Sequence, residues 1–487
     1  MKKYSHILLL VLGGLFMMLS NGKFLMAPAA WIFPILFLFA IEKMSLKKAM
    51  LTLTLVTAVS NQLSFHNMLP SLGIPMFSYI PAMAGALYAF TFILQQLSFR
   101  KTNSFVATLI LPCTYALLDF SNLYFNPFGT FGILGYSQHG FLPIVQVASV
   151  VGVTGITFLI MWTASIIYWL RLDVTNKKKQ HVALLTAAVL ICIVTLGGWR
   201  VVTNVNTETV TVSGIHTLDR TDSEVLEIFN LHEKENRDFL KKTEENLNEL
   251  IEMTITEAKA GAKIIHHSEG VAMLDETQKS LYLDSLRDVA KQWGVYIVTV
   301  PYVFTAEGSP NENVLYMIDP SGEVAFEHFK YGGNLIERTV EGDKQIKYAD
   351  TAYGRLSGII CWDKDFPAIV NQAGEKNVDI LFIPSADWKE ISPYHTIVGN
   401  FRGVENGANI VTQTVNGMSM ISDYKGQTLA QMDHFTSDQW VMRGQVPTKG
   451  METMYSKWGK YFVWYIIITL LISVGYIHFD RRKKFES

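Results

Sequence analysis

The chain divides by hydropathic pattern. Up to about residue 203 it is a series of long apolar runs with short polar connections; from 204 to 456 apolar positions recur at strand and helix spacings among charges; after 457 one more apolar run precedes a basic tail. A bilayer core about 30 Å thick takes roughly 20 mostly apolar residues per helix. That rule predicts seven spans, near 5–20, 25–41, 48–64, 79–98, 104–120, 142–170 and 182–199, and an eighth near 460–478. The first run, opened by Met1-Lys2-Lys3, reads as a retained helix, since no small-residue cleavage site follows it. Three parts result: a seven-span domain over 1–203, a globular domain over 204–456, and a last helix with a basic tail over 457–487.

Lysine and arginine mark the cytoplasmic side of short loops. Lys2 and Lys3, the Lys43–Lys48 connection, Arg100-Lys101, Arg171 with Lys177–Lys179, and Arg481–Lys484 fall on alternate connections, whereas 67–78 and 121–139 hold no Lys or Arg. Both termini are therefore expected in the cytoplasm and residues 204–456 outside it. Glu42 and Asp119 are placed near span ends, and no chain of charges marks an ion path through the bundle.

In the globular part, Thr209–Ile215 alternates as a strand and Thr221-Asp-Ser-Glu224 has the form of a helix start. Strands follow at Ala262–His267, Val295–Val303, Val314–Ile318, Val324–Phe329, Leu356–Cys361, Ile380–Pro384 and Asn409–Val415, with helices near 276–293, 367–376 and 395–406. Strands that alternate with helices and also pair as hairpins predict a mixed sheet with helices on its face.

Composition adds little except by exclusion. A formal net charge of -2 offers no basic face for nucleic acid. The three cysteines allow no disulfide framework in the soluble part, because Cys113 and Cys192 lie in apolar runs. Cys361 alone stands in a water-soluble context, at the end of the apolar run Gly358-Ile-Ile-Cys361 and before a turn that closes at Pro367. Glu269 and Lys330 also fall at or just beyond strand ends. A carboxylate can take a thiol's proton, and a lysine can stabilise both a thiolate and an acyl oxyanion, so the three residues form a coherent nucleophilic set. His266-His267 lie beside Glu269, but neighbouring strand residues face opposite ways, so no metal site is expected.

Together these residues resemble the carbon-nitrogen hydrolase (nitrilase) superfamily, which implies an α/β domain of α-β-β-α sandwich type with a Glu-Lys-Cys triad. With the spans, the chain resembles the bacterial apolipoprotein N-acyltransferase family over nearly its whole length. Local likenesses are Ala27-Pro28 with Trp31, Asn126-Pro-Phe-Gly-Thr130, Leu134-Gly-Tyr-Ser-Gln138, Arg402 with Glu405, and Asn416-Gly417 with Asp423 and Gly426. The resemblance implies transfer of an acyl chain from a membrane phospholipid, through a cysteine thioester, to the amine of a lipoprotein's lipid-modified cysteine, at the outer face of the bacterial cytoplasmic membrane and without a cofactor. It assigns Glu269 as general base, Lys330 as oxyanion stabiliser, Cys361 as nucleophile and Glu337 as support for the lysine. Trp362, Asp363, Trp388, Arg402 and Glu405 are expected to support the site or touch substrate. The chain departs from the family at Ser268, where a proline is usual, at Trp362-Asp363, where Tyr-Glu is usual, at Tyr331-Gly-Gly-Asn after the lysine, and at Gly214-Ile-His216, where Gln-Gly-Asn is usual. Two other readings stay open: a membrane-anchored amidase, and a catalytically silent lipoprotein-binding homologue.

Overall fold

The computed structural model describes residues 5–69, 78–203, 208–216, 228, 232, 236–306, 309–333 and 337–486, so the expected helix start at Thr221–Glu224 lies outside the described residues. Two compact units result, one of Met1–Asn126, Thr130–Thr203 and Lys457–Ser487, the other of Pro127–Gly129 and Asn204–Ser456.

In the first unit, and with the helix that enters it at the C-terminal end, five helices among the described residues are long and apolar enough to cross a membrane: Ile80–Lys101, Phe105–Phe125, Val153–Arg171, Lys177–Val202 and Met454–Asp480. Ser5–Leu19 and Ala27–Ile41 are apolar but shorter, and Leu46–Ser64 carries its lysines in the first turn. The run expected as one span over 142–170 is broken: short helices at Leu142–Val145 and Ala148–Val151 stop at Gly152, whose φ of 78° no α-helix accommodates, before Val153–Arg171 begins. Asp119, expected near a span end, sits inside Ile110–Phe125 and is fully buried. Its carboxylate accepts from Tyr88 Oη at 2.7 Å, from Thr157 Oγ1 at 2.7 Å and from the Leu134 amide at 3.2 Å. The residue thus holds helices and a turn together, which satisfies a polar group that would otherwise be costly there.

In the second unit the described strands form two six-stranded sheets, ordered β12-β1-β2-β3-β4-β5 and β11-β10-β9-β8-β7-β6. The first comprises β1 (Thr209–Ile215), β2 (Ile264–Asp275), β3 (Tyr296–Phe304), β4 (Glu312–Ile318), β5 (Val324–Phe329) and β12 (Val441–Pro447). The second comprises β6 (Tyr348–Thr351), β7 (Gly354–Gly358), β8 (Ile380–Ala386), β9 (Asn409–Val415), β10 (Met418–Ser422) and β11 (Thr428–Asp433). In each, three neighbouring strands run parallel, β1-β2-β3 and β7-β8-β9, and the outer strands pair antiparallel.

Strand alternation explains the layering. Val212, Ile264, Val298 and Leu315 of one sheet and Leu356, Ile380, Phe382 and Val411 of the other share one apolar layer. The residues that alternate with them, Ile265, Ile297 and Tyr316, pack with Leu250, Tyr282 and Leu286 of the helices Asn236–Lys259 and Glu276–Trp293. On the second sheet Leu381 and Ile383 pack with Ile369, Val370 and Ala373. Strands apolar on both faces are what a sheet covered on both sides requires, and a fully buried side chain such as Phe382 contributes about 1.5–3 kcal/mol. Adjacent His266 and His267 obey the same rule: His266 lies edge-on to Phe382 in the shared layer, while His267 bonds Thr254 and Thr299 on the helix side.

Candidate active site

Glu269 is not at the end of its strand, as the sequence suggested, but within it. The pairing of β2 with β3 shifts register on both sides of Glu269, and Gly270 takes φ 62°, so the chain bulges and then resumes as a strand to Asp275. A bulge re-aims one side chain while keeping the sheet, and here it delivers a buried carboxylate. Glu269 Oε1 accepts from Lys330 Nζ at 2.6 Å and from Asn313 Nδ2 at 2.8 Å, and Oε2 accepts from the Ala386 amide at 3.0 Å.

Lys330 follows β5 directly and is 1% exposed. Its ammonium also donates to Glu337 Oε1 at 2.5 Å. Burial opposes its charge, but Glu269 and Glu337 outweigh burial and hold it well above the ordinary lysine range. Burial pushes the Glu337 carboxyl up, against the pull of Lys330.

Cys361 opens the short turn Cys361–Asp365 after β7, with φ 43°, a conformation that non-glycine residues seldom adopt and that is found at functional sites. The strand expected at Leu356–Cys361 ends at Gly358, and two residues separate it from the turn that holds Cys361. The thiol faces the Ala386 carbonyl at 3.8 Å. Burial first, and then the charge of Glu269, push it well above the ordinary cysteine range, while Lys330 and Lys364 pull it down. The resting group is therefore a thiol that needs a base, and Glu269 is the carboxylate whose charge it feels most.

Asp363 anchors this turn. Oδ1 accepts from the Tyr331 amide at 3.0 Å and the Gly332 amide at 2.7 Å, and Oδ2 from the Ile360 amide at 3.0 Å and His328 Nε2 at 2.9 Å. It thereby ties the residues after Lys330 to the residues around Cys361. Burial alone would raise its pKa, but His328 and the amides hold the carboxyl below its usual range. Trp362 is half-buried and donates from Nε1 to the Phe128 carbonyl at 2.8 Å. Arg402 and Glu405 form a buried pair at 2.6 Å, and Arg402 Nε donates to the Lys364 carbonyl at 3.0 Å, so Arg402, paired with Glu405, holds the backbone of the turn. Trp388 is half-buried beside Asp387.

The structure brings together further residues that the sequence did not single out. Asn313 links the two glutamates, donating also to Glu337 Oε2 at 3.5 Å. His395 lies between two carboxylates, Nδ1 at 2.6 Å from Asp387 Oδ1 and Nε2 at 2.8 Å from Asp365 Oδ2. Burial and Lys364 oppose a charge on this ring, but Asp387 and Asp365 outweigh them and hold it above the ordinary histidine range. Cys361, Asp387 and His395 each offer a ligand-type atom within 4.8 Å of one another.

Residues 242–453 match the carbon-nitrogen hydrolase family and residues 13–166 the apolipoprotein N-acyltransferase N-terminal domain. The chain thus belongs to the carbon-nitrogen hydrolase, or nitrilase, superfamily. Within it, the chain falls in the apolipoprotein N-acyltransferase family. It is 23% identical to apolipoprotein N-acyltransferase 1 of Treponema denticola over 413 residues, covering 74% of this chain and 75% of that one. It is 29% identical over 141 residues to the apolipoprotein N-acyltransferase of Rickettsia bellii, a match that spans 28% of this chain and 26% of the relative. A deaminated glutathione amidase of Yersinia enterocolitica is 22% identical over 45% of this chain and 84% of its own. An amidase structure from Nesterenkonia sp. superposes with a TM-score of 0.40 and 16% identity, covering 52% of this chain and 95% of the amidase.

Proposed function

We propose that the protein transfers an acyl chain from a membrane phospholipid, through a thioester on Cys361, to the amine of a lipoprotein's lipid-modified N-terminal cysteine. The observation that carries this is a buried thiol beside a Glu269–Lys330–Glu337 charge network, in a chain that also holds a set of long apolar helices. In the first half-reaction Glu269 takes the Cys361 proton as sulfur bonds to the ester carbonyl carbon. The oxyanion forms against Lys330, the glycerol C–O bond breaks, and Glu269 returns the proton to the departing alkoxide. In the second, the acceptor amine bonds to the thioester carbon, gives a proton to Glu269, and the C–S bond breaks with that proton passing to sulfur. Glu337 keeps Lys330 charged and oriented, and Asp363 keeps the two loops in register. Eight spans with both termini cytoplasmic and residues 204–456 outside would hold the site where both lipid substrates lie.

The amidase reading, with water as second nucleophile, draws support from the likeness to the Yersinia amidase. Intact-mass measurement after incubation with phospholipid vesicles separates the readings. A hydroxylamine-labile acyl adduct on wild type and none on Cys361→Ala is the expected result. A folded wild type that takes no acyl group from phospholipids of varied headgroup overturns the proposal.

A further inference from the structure

The thioester chemistry just proposed needs a nucleophile selected from a large excess of water, and its base, Glu269, offers the acceptor no oxygen that lacks a partner. Both of its oxygens are bonded, to Lys330, Asn313 and the Ala386 amide. On another side of the thiol lies a second carboxylate, and it is only half engaged. Asp387 Oδ1 is bonded to His395, but Oδ2 has no partner among the described residues, although the side chain is 0% exposed. A buried carboxylate oxygen left without a donor is costly and calls for a ligand or water.

We propose that Asp387 Oδ2 is the recognition site for the acceptor's primary ammonium group: it binds the cation and takes the proton that must leave before nitrogen bonds to the thioester carbon, the second proton passing to sulfur through Glu269, and so directs the thioester toward an amine and away from water. The inference rests on the acyl-enzyme reading above. Three observations carry it. First, Cys361 Sγ, an Asp387 oxygen and a His395 nitrogen lie within 4.8 Å of one another, close enough for an amine held at Asp387 to reach a carbonyl carbon bonded to that sulfur. Second, the carboxylate is fixed and held below its usual range: burial opposes its charge, but His395, itself bonded to Asp365 at 2.8 Å, grips Oδ1, and Lys364 and Lys330 add their charge. Third, Gly417 packs against Asp387, and a Cβ there would stand 3.0 Å from Oδ2, so only a residue without a side chain leaves room for a donor beside that oxygen. Ala386, next to Asp387 and with its carbonyl toward the thiol, is exposed. A hydroxyl or water lacks the positive charge that such an oxygen prefers, whereas an ammonium supplies both charge and donors.

The test uses full-length enzyme pre-acylated by phosphatidylethanolamine vesicles, then mixed with an S-diacylglyceryl-cysteinyl peptide carrying a free amine. The readout is the partition of the acyl chain between peptide and water in one turnover. Asp387→Asn is expected to lower that partition roughly ten- to hundred-fold, the loss of one charged hydrogen bond. The release of the acyl group by hydroxylamine, a nucleophile neutral at pH 7.5, should stay within two-fold. Gly417→Ala, which leaves every charge in place and crowds Oδ2, should lower the partition in the same sense if Asp387→Asn fails to fold. An unchanged partition in both variants overturns the assignment, as does an equal loss toward hydroxylamine, or a folded Asp387→Asn that no longer forms the adduct. If wild type itself forms no adduct, the acyl-enzyme reading fails first and is recognised by that result.

Discussion

Lys330 is the cation that makes Glu269 and Glu337 tolerable neighbours in a buried site. Lys330→Met leaves two carboxylates facing each other without it, and breaking such a pair costs about 3–5 kcal/mol. A lower thermal midpoint and a roughly 100-fold or greater loss of turnover are expected from a thermal melt and a single-turnover assay. Glu269→Gln separates charge from structure in another way. The Glu269 charge is one cause of the raised Cys361 pKa, so its removal lets Lys330 and Lys364 pull the thiol down. Alkylation by iodoacetamide should then begin at lower pH than in wild type, even though turnover is lost; an onset at higher pH would contradict the electrostatic account. Glu269, Lys330 and Cys361 stand out in the sequence as reactive side chains close after apolar runs, although Glu269 lies at a bulge inside β2 and not at its end. Asn313 and His395 do not, because nothing local marks them. His395 acquires its meaning from Asp387 and Asp365, 8 and 30 residues away, which only the fold brings to its two nitrogens.

At the level of elements, the site depends on two loops staying in register, and Asp363 is the tie. Asp363→Asn turns one acceptor oxygen into a donor against groups that themselves donate, and should cost about 3 kcal/mol. The sign of its pH dependence follows from the lowered carboxyl. A depressed acid stabilises the fold above its unfolded value of about 3.9 and loses that contribution as pH falls through the folded value. The gap in thermal midpoint between wild type and Asp363→Asn should thus be full at neutral pH and narrow below about pH 4; a gap that widens in acid would refute it. Gly332 makes the same point sterically, since a Cβ there would lie 2.7 Å from the Trp362 carbonyl carbon and 2.9 Å from the Asp363 nitrogen. Both partners are backbone, so Gly332→Ala should move one loop against the other and lower turnover more than it lowers stability, as parallel assays and melts would reveal. Strand periodicity disclosed most of the strands, including β1, β4 and β5, to within a residue or two. It could not disclose the bulge at Glu269, because a register shift leaves the apolar pattern on either side intact. Nor did it separate the helix expected over 367–376 into Pro367–Val370 and Gln372–Glu375, which share one apolar face and differ only in backbone geometry.

For the whole molecule, the sequence and the fold give different kinds of information about the membrane. Apolar length gave eight candidate spans, whereas the described helices divide into five that are long and apolar enough and others that are short, polar at one end or broken at Gly152. Length alone cannot see a break, because a glycine at positive φ adds no polarity. The alternation of basic connections is a separate signal and does not depend on helix length. It predicts that the Lys43–Lys48 connection faces the cytoplasm and that the unit holding Cys361 faces outward. Single cysteines introduced into a Cys113→Ser, Cys192→Ser background test this directly. Leu281→Cys lies on an exposed position, 69% accessible, of the helix Glu276–Trp293, and Lys47→Cys lies in the basic connection. Cys361 itself is buried and should label slowly. A membrane-impermeant maleimide added to intact spheroplasts should modify Leu281→Cys at once and Lys47→Cys only after lysis. The reverse order would place the thiol on the side of the cytoplasm, and with it would fall the reason for a lipid-acceptor site such as Asp387, since the lipoproteins of the proposed reaction lie across the membrane.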